Sequence, residues 1–153
     1  MTAVRVLGVG NLLMGDEGVG VHAVRALENR GLPEGAEAVD AGTAGLGLLG
    51  FFGGARRLIF LDCVDMGLPP GTVRRFSPDE VRELCSGREM SLHETGILGI
   101  LELARTTGEL AAGTAVVLYG IQPASLGWSM ELSPCCAAAV EEVVDRVYRE
   151  IVS

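Results

Sequence analysis

Short apolar runs alternate with helical patterns along the whole chain. The first, third and fifth runs are continuously apolar, as strands buried on both faces of a sheet are. The run beginning at Thr72 is more polar, which predicts an edge strand. The five predicted strands are Val4–Gly8, Glu37–Asp40, Leu58–Asp62, Thr72–Phe76 and Ala115–Ile121. This alternation predicts an α/β fold of three layers, with a mostly parallel five-stranded twisted sheet, helices on both faces, and a single domain over residues 1–153.

Helical periodicity separates these strands. A helix is predicted over Gly18–Arg30, ended by Gly31, and a short apolar helix is predicted after Gly45. The last helix is predicted from Ser133 as its N-cap and Pro134 at its first position. The apolar positions expected to face the core are Val21, Val24 and Leu27 in the first helix and Val140, Val143, Val144, Val147 and Ile151 in the last.

A further helix is predicted from a capping motif. Ser91-Leu92-His93-Glu94 has the form S-x-x-E, so Ser91 is expected to cap a helix that reaches about Thr107, with Ile97, Leu101 and Ala104 facing inward. This assignment places His93 in the first helical turn, where the helix dipole disfavours a protonated imidazole.

Composition excludes several classes of function. The chain has 12 Lys+Arg against 20 Asp+Glu and a net charge of −8, which argues against a nucleic-acid partner. Every basic residue is arginine, so chemistry that requires a P-loop lysine, a Schiff-base lysine or a Ser–Lys dyad is excluded.

The longest nearly apolar stretch, Leu46–Gly54, is far shorter than the roughly 20 residues that span a bilayer, so no membrane segment is expected. The chain begins in strand-like sequence without a signal-peptide pattern, which predicts a cytoplasmic protein. Its 4 cysteines lack a C-x-x-C pair, and with 2 histidines they do not form a structural zinc motif. We expect them to be reduced and mostly buried.

A glycine-rich loop joins the first strand to the first helix and allows two interpretations. It reads Gly8-Val9-Gly10-Asn11-Leu12-Leu13-Met14-Gly15-Asp16-Glu17-Gly18-Val19-Gly20. A dinucleotide-binding loop would use Gly8 and Gly10, with Asp40 as the acid on the ribose. However, Leu13 occupies the third glycine position, and Asp16 and Glu17 would repel a pyrophosphate at the helix N-terminus.

The second interpretation is a cation site. The carboxyl ends of neighbouring parallel strands open onto one crevice, which would bring Glu17 near Asp62 at the end of its predicted strand. His93 can reach the same crevice from its helix start. Two carboxylates and one neutral imidazole form a site compatible with nickel, zinc or cadmium, without selecting among them.

Each of these residues also has a structural explanation. Glu17 or Asp16 can complement the charge of a helix N-terminus, Asp62 can cap the loop after its strand, and His93 can be a polar first-turn residue that faces water. Cys63, next to Asp62, is a possible nucleophile, but no histidine lies beside it in the sequence, which favours a buried packing residue.

Taken together, the motifs resemble those of the [NiFe] hydrogenase maturation endopeptidases. The glycine-rich loop from Leu7 to Gly20 is similar to the opening motif of that family, and Asp40-Ala41-Gly42-Thr43-Ala44-Gly45 resembles its D-x-G-T-x-G loop. Similar matches, in the family's order and spanning essentially the whole chain, occur at residues 61–65, 91–96, 120–123 and 128–133.

The resemblance implies a protease that removes the C-terminal extension of the precursor of a [NiFe] hydrogenase large subunit after nickel insertion. It implies that Glu17, Asp62 and His93 contact a nickel ion supplied by the substrate and carry catalysis, with no tightly bound cofactor of the enzyme's own. Asp40, Gly42 and Thr43 would line the substrate cleft. It also favours a monomer that binds its precursor transiently. The remaining alternative is a metal- or dinucleotide-binding module without peptidase activity.

Overall fold

A computed structural model describes residues 2–86, 91–92 and 97–153. Its main sheet has the strand order β2-β1-β3-β6-β4, in which β2, β1, β3 and β6 are parallel and β4 runs antiparallel to β6 at the edge. The strands are β1 (Thr2–Val9), β2 (Ala36–Gly42), β3 (Ala55–Asp65), β4 (Val73–Phe76), β5 (Ser91–Leu92) and β6 (Ala115–Ile121). The prediction of a mostly parallel five-stranded sheet is confirmed, as is the edge position of the strand that contains Val73.

Helices cover both faces of this sheet. They are α1 (Val19–Arg30), α2 (Pro78–Ser86), α3 (Ile97–Thr107) and α4 (Pro134–Val152), with short 3₁₀ segments at Gly15–Gly18 and Gly45–Phe51. Alternate side chains of β3 point to opposite faces, so Ile59 and Leu61 pack in the core formed with α1 and α4, whereas Leu58 and Phe60 pack in the core formed with α3. This alternation produces the predicted three layers. Among the described residues, no helix has the length and apolar character needed to cross a membrane.

The predicted apolar stripes agree with the structure. In α1, α3 and α4 the inward positions are buried or half-buried, as the 3.6-residue periodicity requires. Helix α1 ends at Gly31, whose positive φ of 95° is a conformation that favours glycine.

The predicted helix start at Ser91 is wrong. Ser91 and Leu92 form β5, which pairs antiparallel with Asp65 and Val64 at the end of β3, and α3 begins at Ile97. Strand β3 continues three residues beyond Asp62, so its additional backbone groups require partners, and β5 supplies them. Pairing between distant segments therefore overrides the local capping motif. His93 lies outside the described residues.

A capping box instead starts α2, which the sequence analysis did not predict. The amide of Glu80 donates to Ser77 Oγ at 3.2 Å, and the amide of Ser77 donates to Glu80 Oε1 at 3.1 Å. This reciprocal pair is the geometry that the S-x-x-E motif encodes. The sequence contains the motif at both Ser77 and Ser91, and only the one at Ser77 caps a helix.

An ion-pair cluster fixes the end of α4 against the sheet. Arg75 donates to both carboxylate oxygens of Glu150, at 2.8 and 3.0 Å, and the Tyr119 hydroxyl donates to the same carboxylate. Burial by itself would raise the pKa of Glu150, but the hydrogen bonds from Arg75 and Tyr119 outweigh it and hold that pKa below its ordinary value. Burial and the bond to Glu150 raise the pKa of Tyr119 to about 12, so its hydroxyl remains a donor.

We predict that Glu150→Gln lowers the free energy of unfolding at pH 7 by about 2 kcal/mol, since it removes charge-assisted hydrogen bonds. Because the pKa of Glu150 is lower in the folded protein, its contribution is fully present above the unfolded value, about 4.3, and is lost as the pH falls through the folded value. Urea unfolding of both proteins between about pH 3 and 7 measures the difference.

The matched control is Glu142→Gln, which removes an exposed i,i+4 pair with Arg146 and should change the free energy of unfolding by less than about 0.5 kcal/mol. Equal effects of the two variants, or a difference between Glu150→Gln and the unaltered protein that persists at acid pH, would contradict the assignment.

Candidate active site

The carboxyl edge of the parallel strands brings the predicted acidic residues together. Pairing between β1 and β3 ends at Gly8 and Leu61, so Asp62 is the first residue of β3 beyond the end of that ladder. Asp62 is not the last residue of its strand, as predicted, because β3 continues to Asp65 and pairs with β6 on its other side. The Asp62 side chain is buried, and its Oδ1 accepts the amide proton of Cys63 at 2.8 Å.

Glu17 reaches this edge from the opposite side of β1. It is half-buried and lies in the 3₁₀ segment Gly15–Gly18, which contacts β3 and leads into α1. Two glycines permit this close packing. A Cβ at Gly20 would lie 2.1 Å from the carbonyl oxygen of Leu61, and a Cβ at Gly10, whose φ is +145°, would lie 2.1 Å from the carbonyl oxygen of Glu17. These glycines of the loop therefore serve the packing that presents Glu17.

The thiol of Cys63 provides a measure of how closely the carboxylates converge. Burial raises the pKa of Cys63 far above its ordinary value, and the negative charges of Asp62, Asp16 and Glu17 act in the same direction. Three carboxylates therefore lie within electrostatic range of one buried thiol. The interpretation of Cys63 as a packing residue is supported, since a buried, protonated thiol is a poor nucleophile.

Asp16 has a different position from its neighbour Glu17. Its side chain is fully buried and accepts four hydrogen bonds from the segment that follows β6. The donors are the amides of Ala124, Ser125 and Ser133, at 2.8, 2.9 and 2.8 Å, and the Ser133 hydroxyl, at 2.8 Å. Burial by itself would raise the pKa of Asp16, but these bonds outweigh it and lower that pKa. Asp16 is thus an ionised anchor between the glycine-rich loop and the chain that enters α4.

This anchor also changes the role of Ser133. The residue is the N-cap of α4, as predicted, but its side chain makes no capping hydrogen bond to the helix. The hydroxyl donates to Asp16 instead, because a buried carboxylate is a stronger acceptor than a helix amide is a donor in need. Sequence analysis identified the position and missed the partner, which is more than 100 residues distant in the chain.

The predicted cleft residues border the same edge. Asp40 is exposed, forms an ion pair with Arg25 at 3.0 Å and accepts the amide proton of Gly42 at 3.0 Å. The carbonyl of Gly42 accepts the amide proton of Gly10 at 2.9 Å, which attaches this loop to the glycine-rich loop. Thr43 is exposed beside it. Asp40, Gly42 and Thr43 are therefore arranged along the opening on the β2 side.

His93 lies outside the described residues, so its position relative to Glu17 and Asp62 stays a prediction. Leu92, the residue before it, pairs with Val64, two residues after Asp62. Within the described part of the chain, no three His, Cys, Asp or Glu side chains are grouped so as to hold a metal ion. The predicted three-residue set includes a member that this search does not cover.

Comparison with known proteins identifies one group of relatives. The family model HycI, hydrogenase maturation protease, matches residues 21–150. The chain is 40% identical over 151 residues to the hydrogenase expression/formation protein HupM of Azotobacter chroococcum mcd 1, covering 92% of this chain and 71% of that protein. It is 38% identical over 144 residues to the hydrogenase 2 maturation protease of Escherichia coli K12, covering 93% of this chain and 86% of that protein. The solved structure of the hydrogenase maturating endopeptidase HybD from E. coli superposes with a TM-score of 0.81 at 36% identity, covering 95% of this chain and 90% of that chain.

We predict that Asp16→Asn lowers the free energy of unfolding by about 3 kcal/mol, because an amide NH₂ would face backbone donors and leave buried groups unpaired. The loss should diminish at acid pH. The pKa of Asp16 is lowered on folding, so its contribution is present above the unfolded value, about 3.9, and disappears as the pH falls through the folded value.

Chemical denaturation across this pH range tests the prediction, with Ser133→Ala as a milder comparison expected to lose about 1 kcal/mol for one hydroxyl donor. An Asp16→Asn protein as stable as the unaltered one at pH 7 would show that Asp16 is not an anchor.

Proposed function

We propose, from the premise that this chain belongs to the hydrogenase maturation protease family and is an endopeptidase, that its substrate is the nickel-loaded precursor of a [NiFe] hydrogenase large subunit. The enzyme removes the C-terminal extension of that precursor. The resemblance inferred from the motifs is thereby confirmed at the level of the family. The cleavage and the means of recognising nickel are the parts proposed here.

The observation that carries the proposal is the convergence of Glu17 and Asp62 at one edge of the sheet. Both charges act on the thiol of Cys63, although the residues lie on different elements. Carboxylates on two separate elements at the mouth of a parallel sheet are suited to contact a cation that arrives from outside.

His93 completes the proposed donor set. The chain reaches it directly from Leu92, which is hydrogen-bonded to β3 two residues beyond Asp62. An imidazole nitrogen added to two carboxylate oxygens gives an O,O,N set that accommodates nickel and leaves coordination positions for ligands of the substrate.

The proposed reaction begins with docking. Nickel held by cysteine thiolates of the precursor, close to the cleavage site, contacts Glu17, Asp62 and His93, and this contact positions the scissile peptide. Water then adds across the peptide C–N bond, and the products are a new C-terminal carboxylate and the amine of the released extension. A precursor without nickel lacks the docking group and is spared. The nickel belongs to the substrate, so we propose no resident metal for the enzyme.

Asp40, Gly42 and Thr43 line the approach on the β2 side in this proposal. The exposed ion pair between Asp40 and Arg25 sets the edge of that approach without closing it. We further propose that the enzyme is a cytoplasmic monomer that forms a transient complex with the precursor. The chain's net charge of −8 is unsuited to nucleic acid and compatible with that role.

We predict that Glu17→Gln lowers the rate of precursor cleavage by at least about 100-fold, since one oxygen ligand is replaced by a neutral amide that binds the cation weakly. The measurement is mass spectrometry of nickel-loaded and nickel-free precursor after incubation with each protein. Only the loaded precursor should lose its extension, and only the unaltered protein should remove it rapidly.

Glu28→Gln, an exposed position on α1, is the matched control and should cleave at the unaltered rate. Thermal unfolding of all three proteins separates a loss of chemistry from a loss of folding. Cleavage of nickel-free precursor as fast as loaded precursor would refute nickel recognition, and full activity of Glu17→Gln would remove Glu17 from the site.

A further inference from the structure

Three large apolar side chains are exposed beside the loop that carries Glu17. Leu13, Trp128 and Met130 have 50%, 81% and 68% of their surface accessible. We name these three residues the apolar rim. Single exposed apolar residues are common on proteins, but an exposed tryptophan with two large apolar neighbours is typical of an interaction site.

Backbone pairing joins the two segments of the apolar rim. Met14 pairs with Ser129, the amide of Gly15 donates to the Ser129 carbonyl at 2.7 Å, and the amide of Ser129 donates to the Leu13 carbonyl at 3.0 Å. Leu13 and Trp128 are therefore the preceding residues of two paired segments, and Met130 follows the pair. The rim lies on the loop that presents Glu17 four residues later.

The exposure of the apolar rim is imposed by well-anchored backbone. Asp16 binds the amides on one side of the rim segment and Ser133 on the other, and the amide of Asp16 donates to the Ser125 carbonyl at 2.9 Å. Within the rim segment, Ser129 Oγ accepts the amide proton of Glu131 at 3.0 Å. The fold thus holds these side chains outward, and a preorganised surface loses little conformational entropy when it binds a partner.

We propose that the apolar rim docks the large-subunit precursor through an apolar stretch of the precursor that adjoins its cleavage site. This inference rests on the proposed function, because it assigns the occupant by continuity with the Glu17 loop. A scissile bond that reaches Glu17 and Asp62 must carry its flanking chain past Leu13 and Trp128. Tryptophan is enriched among the residues that dominate protein interfaces, so the rim is the part of the surface expected to determine affinity.

The test separates binding from cleavage. Trp128 is the single tryptophan of the sequence, so its emission reports on the rim directly when tryptophan-free precursor is added to the unaltered protein. We expect a blue shift on binding. The variants Leu13→Ser and Met130→Ser should raise KM, and the Kd from the titration, by about tenfold or more, with a much smaller effect on kcat.

Val152→Ser is the matched control, because Val152 is 53% exposed and lies at the end of α4, close to the start of β1 and so at the opposite end of the sheet. It should leave KM and Kd unchanged. Circular dichroism and thermal midpoints of all variants should match those of the unaltered protein, since the replaced side chains are exposed.

Each outcome bears on one proposal or both. If the unaltered protein cleaves the precursor, but the rim variants keep their KM and Trp128 emission does not shift, the rim proposal is overturned and the proposed function stands. If emission shifts and the rim variants bind weakly, but nothing is cleaved, the rim proposal stands and the peptidase assignment for that precursor falls. If neither binding nor cleavage occurs, both are overturned. Sedimentation that shows a dimer lost in Leu13→Ser would assign the rim to a second copy of the chain and overturn the proposal.

Discussion

The buried carboxylate of Asp16 is the interaction on which the functional edge of this protein depends. A charged carboxylate without water is stable only when its oxygens accept several hydrogen bonds, and Asp16 accepts four from Ala124, Ser125 and Ser133. These bonds connect residues more than 100 positions apart in the chain. They fix the loop before α1 against the segment before α4, and both segments border the site.

The consequence of that anchor is a division of labour between two adjacent acids. Asp16 faces inward and is used by the fold, whereas Glu17 is half-buried and lies at the opening. Gly10 and Gly20 allow the backbone to approach close enough for this arrangement, since a Cβ at either position would overlap a carbonyl oxygen. The glycine-rich loop resembles a phosphate-binding loop in sequence, but its glycines serve tight packing around carboxylates. That packing agrees with membership of the hydrogenase maturation protease family.

The sheet and most helices could be predicted because their information is local and periodic. Continuous apolar runs identified β1, β3 and β6, and the stripe through Val143 and Val147 identified α4. Capping motifs were less informative. The motif at Ser77 caps α2, while the identical motif at Ser91 lies in a strand, because the extension of β3 to Asp65 offers a competing set of backbone partners. Ser133 was placed correctly and its hydrogen-bond partner was not.

For the candidate site, the sequence by itself determined which side chains are available and on which strands and turns Glu17, Asp40 and Asp62 lie. It also determined, through its motifs, the family to which the chain belongs. Only the tertiary structure decided that Asp16 is an anchor, that Cys63 is held as a neutral thiol among three carboxylates, and that Trp128 lies beside the Glu17 loop. The physical reason is that periodicity and propensity act over a few residues, whereas hydrogen bonds to a buried charge and electrostatic shifts depend on groups that the chain brings together only when the sheet forms.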